Sequence, residues 1–145
     1  MSKKRGLVLM VSLGLIDQGL KILLKDSDRV LIKGVLALHG TRNTGAAFSL
    51  LSDYPQLLTL LSVLLFAVLL FVNLRHERGI KSLCLWVAAG GALGNLIDRI
   101  FRGYVLDYIE LLFMRFAIFN FADCLIVSGL LCYALLTLFQ REEKA

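Results

Sequence analysis

Two aspartates in the C-terminal half of the chain stand in apolar sequence, where a carboxylate is unexpected. Asp107 lies within Tyr-Val-Leu-Asp-Tyr-Ile, and Asp123 ends the run Phe-Asn-Phe-Ala-Asp. When two carboxylates are brought together in a low-dielectric setting, they share one proton, and the pair can then activate a water molecule. The two residues therefore predict a general acid–base pair for hydrolysis.

Each aspartate also has an interpretation that involves no chemistry. Asp107 can be a solvated acid on the wet face of a surface strand. Asn120 lies three residues before Asp123, so Asn120 can cap a helix whose dipole favours an acid in its first turn. The residues alone leave both interpretations of each aspartate open.

Further polar and ionisable residues occur near the ends of apolar segments. Asp17 and Lys21 have the i, i+4 spacing of a pair on one helix face, and a structural ion pair is the favoured interpretation. Asn95, Asp98 and Arg99 share one face of a later segment. For these three residues, a structural network and a direct role in substrate binding are both open.

The composition identifies the medium in which these residues act. Of the 145 residues, 58% are hydrophobic and 19% are charged, below the charged share of about 25% in soluble domains. A soluble domain of this size cannot bury so much apolar surface. Four apolar segments each approach the roughly 20 residues that cross the hydrocarbon core, at residues 6–24, 55–74, 82–100 and 119–139.

We therefore expect an all-α membrane protein with four transmembrane helices, built as a single domain over residues 1–145. The first segment follows a basic start but shows no small-residue cleavage site, so we interpret it as a retained anchor. Ionisable residues inside such helices cost about 2.5–3.5 kcal/mol even on the lenient insertion scale, which makes them candidates for a functional role.

Basic residues predict the orientation of the helices. Four crossings put both termini on one side, where basic residues are concentrated close to the helix ends: Lys3, Lys4, Arg5, Arg75, Arg78, Lys81, Arg141 and Lys144. The opposite side carries a similar number over much longer segments. The positive-inside rule therefore predicts cytoplasmic termini, and residues 25–54 and 101–118 face outward.

The outward segments predict a small extracytoplasmic β element. Residues 30–39 are rich in Val, Ile and Leu around Lys33-Gly34 and predict a short hairpin or sheet on the membrane surface. Arg42-Asn43-Thr44-Gly45 predicts a turn, after which residues 46–51 return to apolar character. Residues 104–109, which begin directly after Gly103, predict a further strand.

Other chemistries find less support in the sequence. The basic residues bracket apolar segments and form no stripe, so no nucleic-acid partner is expected. The sequence has no HExxH, CxxC, P-loop or dinucleotide-binding glycine motif, and His39 and His76 fall on opposite sides of the predicted topology. Ser49 and Ser52 have no evident base. We therefore expect neither a metal nor a cofactor.

Two other functions compete with hydrolysis. A small proton-coupled transporter also carries acids within the membrane, but it should place one near the bilayer midplane or break a helix there. In this sequence the acids collect at one boundary, and the second apolar segment has none. A non-catalytic assembly factor would leave the two aspartates without a task.

Taken together, the motifs resemble those of the lipoprotein signal peptidase family, also called signal peptidase II. In chain order, the matching residues are Asp17-Gln18 with Lys21, Arg42-Asn43-Thr44-Gly45-Ala46-Ala47-Phe48-Ser49, Gly94-Asn95-Leu96-Ile97-Asp98-Arg99, Gly103-Tyr104-Val105-Leu106-Asp107-Tyr108 and Phe119-Asn120-Phe121-Ala122-Asp123. Any one motif is weak by itself. The resemblance is specific because all five occur in order along nearly the whole chain.

The resemblance implies a membrane aspartic endopeptidase that acts on prolipoproteins whose lipobox cysteine already carries a diacylglyceryl group. Cleavage falls just before that cysteine and releases the signal peptide. Asp107 and Asp123 match the catalytic pair of the family. Its first-helix pair matches Asp17 and Lys21, and its other supporting polar residues match Asn43, Gly45, Asn95, Asp98, Arg99 and Asn120.

The resemblance also suggests that the side-chain amide of Asn43 holds the substrate backbone beside the acids. The alternative is an Asx-turn that shapes the loop. The implied location is the bacterial inner membrane, as a multi-pass protein with its active site near the outer face. Lipid-modified prolipoprotein and membrane lipid are the expected partners, and we expect the protein to act as a monomer.

Overall fold

The structure is a computed structural model that describes residues 2–45, 53–75 and 79–142. Its elements are, in order, α1 (Lys3–Leu24), β1 (Asp28–Ile32), β2 (Leu36–Asn43), α2 (Pro55–Arg75), α3 (Gly79–Phe101), β3 (Val105–Leu111) and α4 (Phe121–Glu142). Several residues of the sequence predictions lie outside the described residues: the stretch 46–51, which includes Ser49, and Ser52, His76, Arg78 and Lys144.

The four helices are each long and apolar enough to cross a membrane. This confirms the prediction of an all-α membrane protein with four transmembrane helices and a small β element. α2 begins at Pro55, as predicted, and proline suits the first turn because its missing amide proton would have no helical partner there.

The other helices begin at residues that differ from the prediction. α1 begins at Lys3 instead of residue 6 because Ser2 caps it, its hydroxyl accepting a hydrogen bond from the Arg5 amide at 3.4 Å. α3 begins at Gly79, three residues before the predicted start. In both cases the helix extends beyond the purely apolar stretch into residues that can lie at the membrane boundary.

α4 begins at Phe121, two residues after the predicted start. Phe119 is not helical, because it pairs with Ile109 in an antiparallel bridge. Asn120 then separates this bridge from the helix and serves as its N-cap.

α3 is the central helix, since it packs against α1, α2 and α4. Gly91 of α3 lies against the backbone carbonyl of Ala122 in α4, and Gly94 lies against the carboxylate of Asp17 in α1. A side chain at either glycine would collide with these groups. Small residues in α3 therefore allow the neighbouring helices to approach closely, as is usual for packed membrane helices.

The β element is a three-stranded antiparallel sheet in the order β1-β2-β3. β1 and β2 form the predicted hairpin, and its turn contains Gly34 at a φ of 73°, in the left-handed region that glycine tolerates. After an irregularity in the β2–β3 register, Thr41 lies opposite Asp107 and Asn43 lies opposite Val105. The sheet therefore brings Asn43 next to Asp107.

The predicted turn at residues 42–45 is wrong in its first half. Arg42 and Asn43 continue β2 and pair with β3. Pairing with β3 gives their backbone N–H and C=O groups hydrogen-bond partners, which a turn would not provide. The chain bends only at Gly45. The predicted strand at residues 104–109 is confirmed as β3, which extends to Leu111.

β3 is held between α3 and the residues that lead into α4. The Leu106 amide donates a hydrogen bond to the Asp98 carboxylate of α3 at 3.1 Å. The Tyr108 amide donates to the Phe119 carbonyl at 3.0 Å. Because Asp107 lies between these two anchor points, its position depends on α3 and α4 together.

We expect Gly129→Ala to destabilise the protein, because Gly129 of α4 lies against the backbone of α3. An added Cβ would lie 2.6 Å from the Cys84 carbonyl oxygen and 2.8 Å from the Ala88 amide nitrogen. Overpacking of this kind costs about 1–3 kcal/mol. Thermal unfolding in detergent measures the loss.

The matched control is Gly19→Ala in α1. No atom of the described residues lies within 4 Å of the Cβ that this change adds, and alanine favours the helix by about 1 kcal/mol. Equal unfolding midpoints for the two variants would contradict the close α3–α4 packing.

Candidate active site

Asp107 lies in the middle of β3, and only 2% of its surface is exposed. Two side-chain amides hold its carboxylate: Asn43 Nδ2 donates to Oδ2 at 2.8 Å, and Asn120 Nδ2 donates to Oδ1 at 2.6 Å. Burial raises the pKa of Asp107 to about 6; the Asn43 hydrogen bond opposes this rise, and the charge of Asp123 adds to it. The interpretation of Asp107 as a solvated surface acid is therefore wrong.

Asp123 occupies the first turn of α4, in the capping geometry that its spacing predicts. Asn120 Oδ1 accepts a hydrogen bond from the Asp123 amide at 3.0 Å, and Asp123 Oδ2 accepts one from the Asn120 amide at 3.0 Å. This reciprocal pair is a capping box. The other oxygen, Oδ1, accepts a hydrogen bond from Asn95 Nδ2 at 2.7 Å. Asp123 thus caps its helix and also faces the polar residues of α3.

Asn120 links the two aspartates. Its side-chain amide donates to Asp107, and its backbone amide donates to Asp123. The same side-chain nitrogen also donates to Asn95 Oδ1 at 3.2 Å. Asn120 is completely buried, so water does not compete for these bonds. One residue therefore sets the position of both carboxylates.

Three different elements satisfy the first amides of α4. Asn120 accepts from Asp123, as above, and the Tyr108 hydroxyl oxygen of β3 accepts from the Phe121 amide at 3.2 Å. Asp17 Oδ1 of α1 accepts from the Ala122 amide at 3.0 Å. A helix start leaves these amides without intrahelical partners, so α1 and β3 supply the caps that a buried helix end needs.

Lys21 is the centre of a buried ionic network. Its ammonium group lies 2.8 Å from Asp17 Oδ2, 2.9 Å from Asp98 Oδ2 and 2.8 Å from Asn95 Oδ1. The side chains of Lys21, Asp17 and Asp98 are all fully buried. Lysine has three donors, and here each has an acceptor. The predicted Asp17–Lys21 ion pair is confirmed, with α3 as an additional partner.

Two residues of this network were not among the candidates from the sequence, Gln18 and Arg102. Arg102 forms an ion pair with Asp98, one turn earlier in the chain, and donates to Gln18 Oε1 at 2.7 Å. Gln18 Nε2 donates to Asp98 Oδ1 at 3.1 Å and to the Gly94 carbonyl at 3.0 Å. The i, i+4 spacing of Asp98 and Arg102 is a signal that could have identified this pair.

A cavity of about 550 Å³ opens beside the two aspartates. Asp107 and Asp123 both line it, together with Asn43, Asn95 and Arg99. Arg99 forms no ion pair with any described residue, so its guanidinium is available to a ligand in the cavity. Apolar side chains complete the lining, among them Leu65 of α2, Ile126 and Val127 of α4, and Phe116 and Ile118 of the segment before α4.

The structure thus separates the ten candidate residues by position. Five line the cavity: Asp107, Asp123, Asn43, Asn95 and Arg99. The other five lie behind the cavity. Asn120 donates to Asp107, and Lys21 binds Asp17, Asp98 and Asn95. The Gly45 amide donates to Asn43 Oδ1 at 2.9 Å.

For Asn43 the structure supports the Asx-turn and adds a second contact. Its carbonyl oxygen shapes the bend at Gly45, and its side-chain nitrogen holds Asp107. The amide that was expected to bind the substrate backbone therefore binds the acid itself. Sequence spacing contains no signal for this contact, because the two residues come from different strands.

The ionisable residues of the site lie toward the helix ends that face the sheet. Asp17 and Lys21 lie in the second half of α1, Asp98 lies near the end of α3, and Asp123 lies in the first turn of α4. This arrangement favours a site at one membrane boundary over an ion path across the bilayer. Among the residues that the structure describes, no three His, Cys, Asp or Glu side chains form a group that could hold a metal ion.

Comparisons with known proteins agree on one family. Residues 9–139 match the family described as signal peptidase (SPase) II. The lipoprotein signal peptidase of Streptococcus agalactiae serotype Ia is 37% identical over 115 residues, which cover 78% of this chain and 74% of that protein. The lipoprotein signal peptidase of Lactobacillus johnsonii is 35% identical over 153 aligned positions, which cover 99% of each chain.

A solved bacterial membrane enzyme has the same fold, with a TM-score of 0.89. That match covers 99% of this chain and 93% of the other, at 23% sequence identity, and so it bears on the fold alone. The family match and the relatives in the two bacteria go further than the fold. The chain therefore belongs to the signal peptidase II family, a family of aspartic peptidases, as its motifs predict.

Proposed function

We propose that this protein removes the signal peptide from diacylglyceryl-modified prolipoproteins by cleaving just before the lipid-modified cysteine. Membership of the signal peptidase II family supports the activity, and the relatives named lipoprotein signal peptidase support the class of substrate. Asp107 and Asp123 are the proposed catalytic dyad.

One structural observation supports the proposal that Asp107 and Asp123 form a catalytic dyad. The two carboxylates come from different elements, line the same cavity and share the donors of Asn120. Asp107 is the more suitable acid, because burial raises its pKa to about 6. Each oxygen of Asp107 already accepts one hydrogen bond from an amide, so a proton on it is free to be donated into the cavity. Asp123 is then the base.

The proposed reaction needs only these two carboxyl groups and water. Asp123 takes a proton from water while the water oxygen attacks the scissile carbonyl carbon, and Asp107 gives its proton to the carbonyl oxygen. The resulting diol collapses with cleavage of the C–N bond. The cysteine nitrogen takes the proton from Asp123, and Asp107 recovers a proton from a diol hydroxyl, so the dyad returns to its starting state.

The other polar residues position this chemistry. Asn43 and Asn120 hold Asp107, and Asn95 holds Asp123. Arg99 lines the cavity without an ion pair to a described residue, which suits it to bind a backbone carbonyl of the substrate. Asp17 and Lys21 act behind the cavity, through the cap of α4 and the ionic network.

The apolar part of the cavity suits a lipid-modified substrate that arrives from the bilayer. Leu65 of α2 and Val127 of α4 line it, and both side chains are exposed on the outer surface of the helices. We infer that the substrate approaches between these two helices. We further propose cytoplasmic termini, a site near the outer face of the inner membrane, a monomer, and no nucleic-acid partner.

The dyad predicts that Asp107→Asn and Asp123→Asn each lower turnover by roughly a thousandfold or more, and that the double variant is little worse, because the two residues act as a unit. Asparagine keeps the shape of the side chain and one acceptor oxygen, so one of the two hydrogen bonds that each carboxylate accepts can remain. Thermal unfolding of each variant shows whether the fold survives. Cleavage of a purified lipid-modified precursor measures turnover.

The matched control is Asp28→Asn, which makes the same change in the exposed strand β1, far along the chain from either carboxylate. Its turnover should stay close to that of the unmodified protein. Near-normal turnover in either dyad variant would remove that residue from the mechanism.

The raised pKa of Asp107 predicts a pH dependence of stability. Folding raises this pKa from its ordinary value of 3.8 to about 6, so the stabilising contribution of Asp107 is fully present below about 3.8 and is lost as the pH rises through about 6. The unmodified protein should therefore lose more stability between pH 4 and pH 7 than Asp107→Asn does. Thermal unfolding in detergent at several pH values tests this; parallel curves would show that Asp107 has no raised pKa.

The proposed orientation predicts which thiols react with an impermeant reagent added outside the cell. In a background without the exposed Cys124 and Cys132, Arg29→Cys in β1 should react and Arg75→Cys at the end of α2 should not. Both native side chains are exposed, so access through the protein is equal. Reaction of the Arg75→Cys variant alone would reverse the orientation.

A further inference from the structure

A second, smaller cavity lies on the other side of the sheet from the two aspartates. Its volume is about 220 Å³, and three basic residues line it: Lys25 after α1, Arg42 in β2 and Arg102 after α3. Asp26 is the one acid among its described lining residues, and Tyr104 contributes an aromatic ring. None of the three basic residues has a role in the proposed dyad.

The charges in this cavity do not cancel. Arg102 is balanced by the buried Asp98, but its side chain is still 26% exposed. Lys25 lies 3.8 Å from Asp26, whose carboxylate is almost fully open to solvent and so screens it weakly. Arg42 has no described carboxylate within ion-pair distance. A net positive charge therefore faces the cavity.

Arg42 is oriented by an aromatic contact. Its guanidinium carbon lies 5.3 Å from the centre of the Tyr104 ring. A cation–π contact of this kind holds the guanidinium by its face and leaves its N–H groups, which point outward in the plane, free to bind an anion. Arg42 is therefore already oriented to donate hydrogen bonds to an anion in the cavity.

The surroundings of the cavity identify the class of anion. Lys25 and Arg102 of the cavity follow the ends of α1 and α3, and apolar side chains at these helix ends are exposed: Leu23 is 77% exposed and Phe101 is 80% exposed. Ile22, also exposed, lines the cavity itself. An anion held here would lie close to exposed apolar side chains at the ends of two membrane-spanning helices, as the headgroup of a phospholipid requires.

We propose that this cavity binds the phosphate headgroup of an anionic phospholipid, with the acyl chains lying along the exposed ends of α1 and α3. The site is separate from the dyad and does not rest on the proposed peptidase activity. It has a structural consequence, since Arg42 directly precedes Asn43 in β2. A lipid bound to Arg42 anchors the strand whose next residue holds Asp107.

The test is thermal unfolding of the purified protein in an uncharged detergent, with increasing amounts of added ligand. Phosphatidylglycerol should raise the midpoint, because a ligand that binds only the folded state stabilises it. Phosphatidylcholine with the same acyl chains should have little effect, since the basic cavity repels its choline cation. Inorganic phosphate at the same concentration should also have little effect, because it lacks acyl chains.

The double variant Lys25→Gln/Arg42→Gln should bind phosphatidylglycerol about 25-fold more weakly, as each basic residue near a lipid surface contributes about fivefold. The control Arg29→Gln/Lys33→Gln removes two exposed charges from β1 and the turn that follows it, outside the cavity, and should bind normally. If the first double variant is unstable without lipid, Lys25→Gln alone should still bind about fivefold more weakly.

Three results would overturn the proposal. The first is an equal response of the unmodified protein to phosphatidylcholine. The second is a response to inorganic phosphate as large as that to phosphatidylglycerol, which would make the cavity a site for free phosphate. The third is equal weakening in the cavity variant and the control variant, which would reduce the effect to general surface charge.

Discussion

The buried ammonium group of Lys21 is the interaction on which the rest of the site depends. A charge taken out of water is costly unless its partners are close and complete, and removal of one partner of a buried pair costs about 3–5 kcal/mol. Here Asp17, Asp98 and Asn95 satisfy all three donors. Because these partners lie on α1 and α3, they fix the position of the two helices relative to each other. A different position would leave the buried charge without its partners.

The partners of Lys21 then carry this constraint to the rest of the site. Asp17 also caps the Ala122 amide of α4, Asp98 also accepts from the Leu106 amide of β3, and Asn95 also donates to Asp123. Each of the three residues thus binds Lys21 and one neighbouring element; Asp17 and Asn95 do so through different side-chain atoms, and Asp98 does so through the same oxygen, Oδ2. In this multi-pass bacterial membrane protein, the positions of the two aspartates at the cavity therefore depend on this network as well as on helix packing.

The two aspartates are chemically different because their environments differ. Asp107 is buried in a strand and receives hydrogen bonds from two neutral amides, and burial raises its pKa to about 6. Asp123 lies in the first turn of α4, where it forms a capping box with Asn120. The capping interpretation of Asp123 and its catalytic interpretation are therefore compatible. The cap keeps one carboxylate oxygen in place, and the other oxygen is directed to Asn95.

Much of this protein could be predicted from the sequence, since the deciding interactions are local. The four helices follow from segment length and hydropathy, the Asp17–Lys21 pair follows from i, i+4 spacing, and the cap of α4 follows from the spacing of Asn120 and Asp123. The hairpin around Gly34 and the strand after Gly103 follow from local pattern as well. Such contacts lie within one or two turns of the chain, so residue spacing is sufficient to indicate them.

Only the tertiary structure decided which of these local elements meet. The bond from Asn43 to Asp107 depends on the register of β2 against β3, and the pairing of Arg42 with Leu106 in the same ladder places Arg42 in a strand instead of the predicted turn. The cap that Asp17 provides for Ala122 joins residues 105 positions apart and depends on the rotation of two helices about their axes. Sheet register and helix rotation are set by the sum of packing and buried-charge contacts across the whole molecule. Residue spacing along the chain does not indicate these long-range contacts.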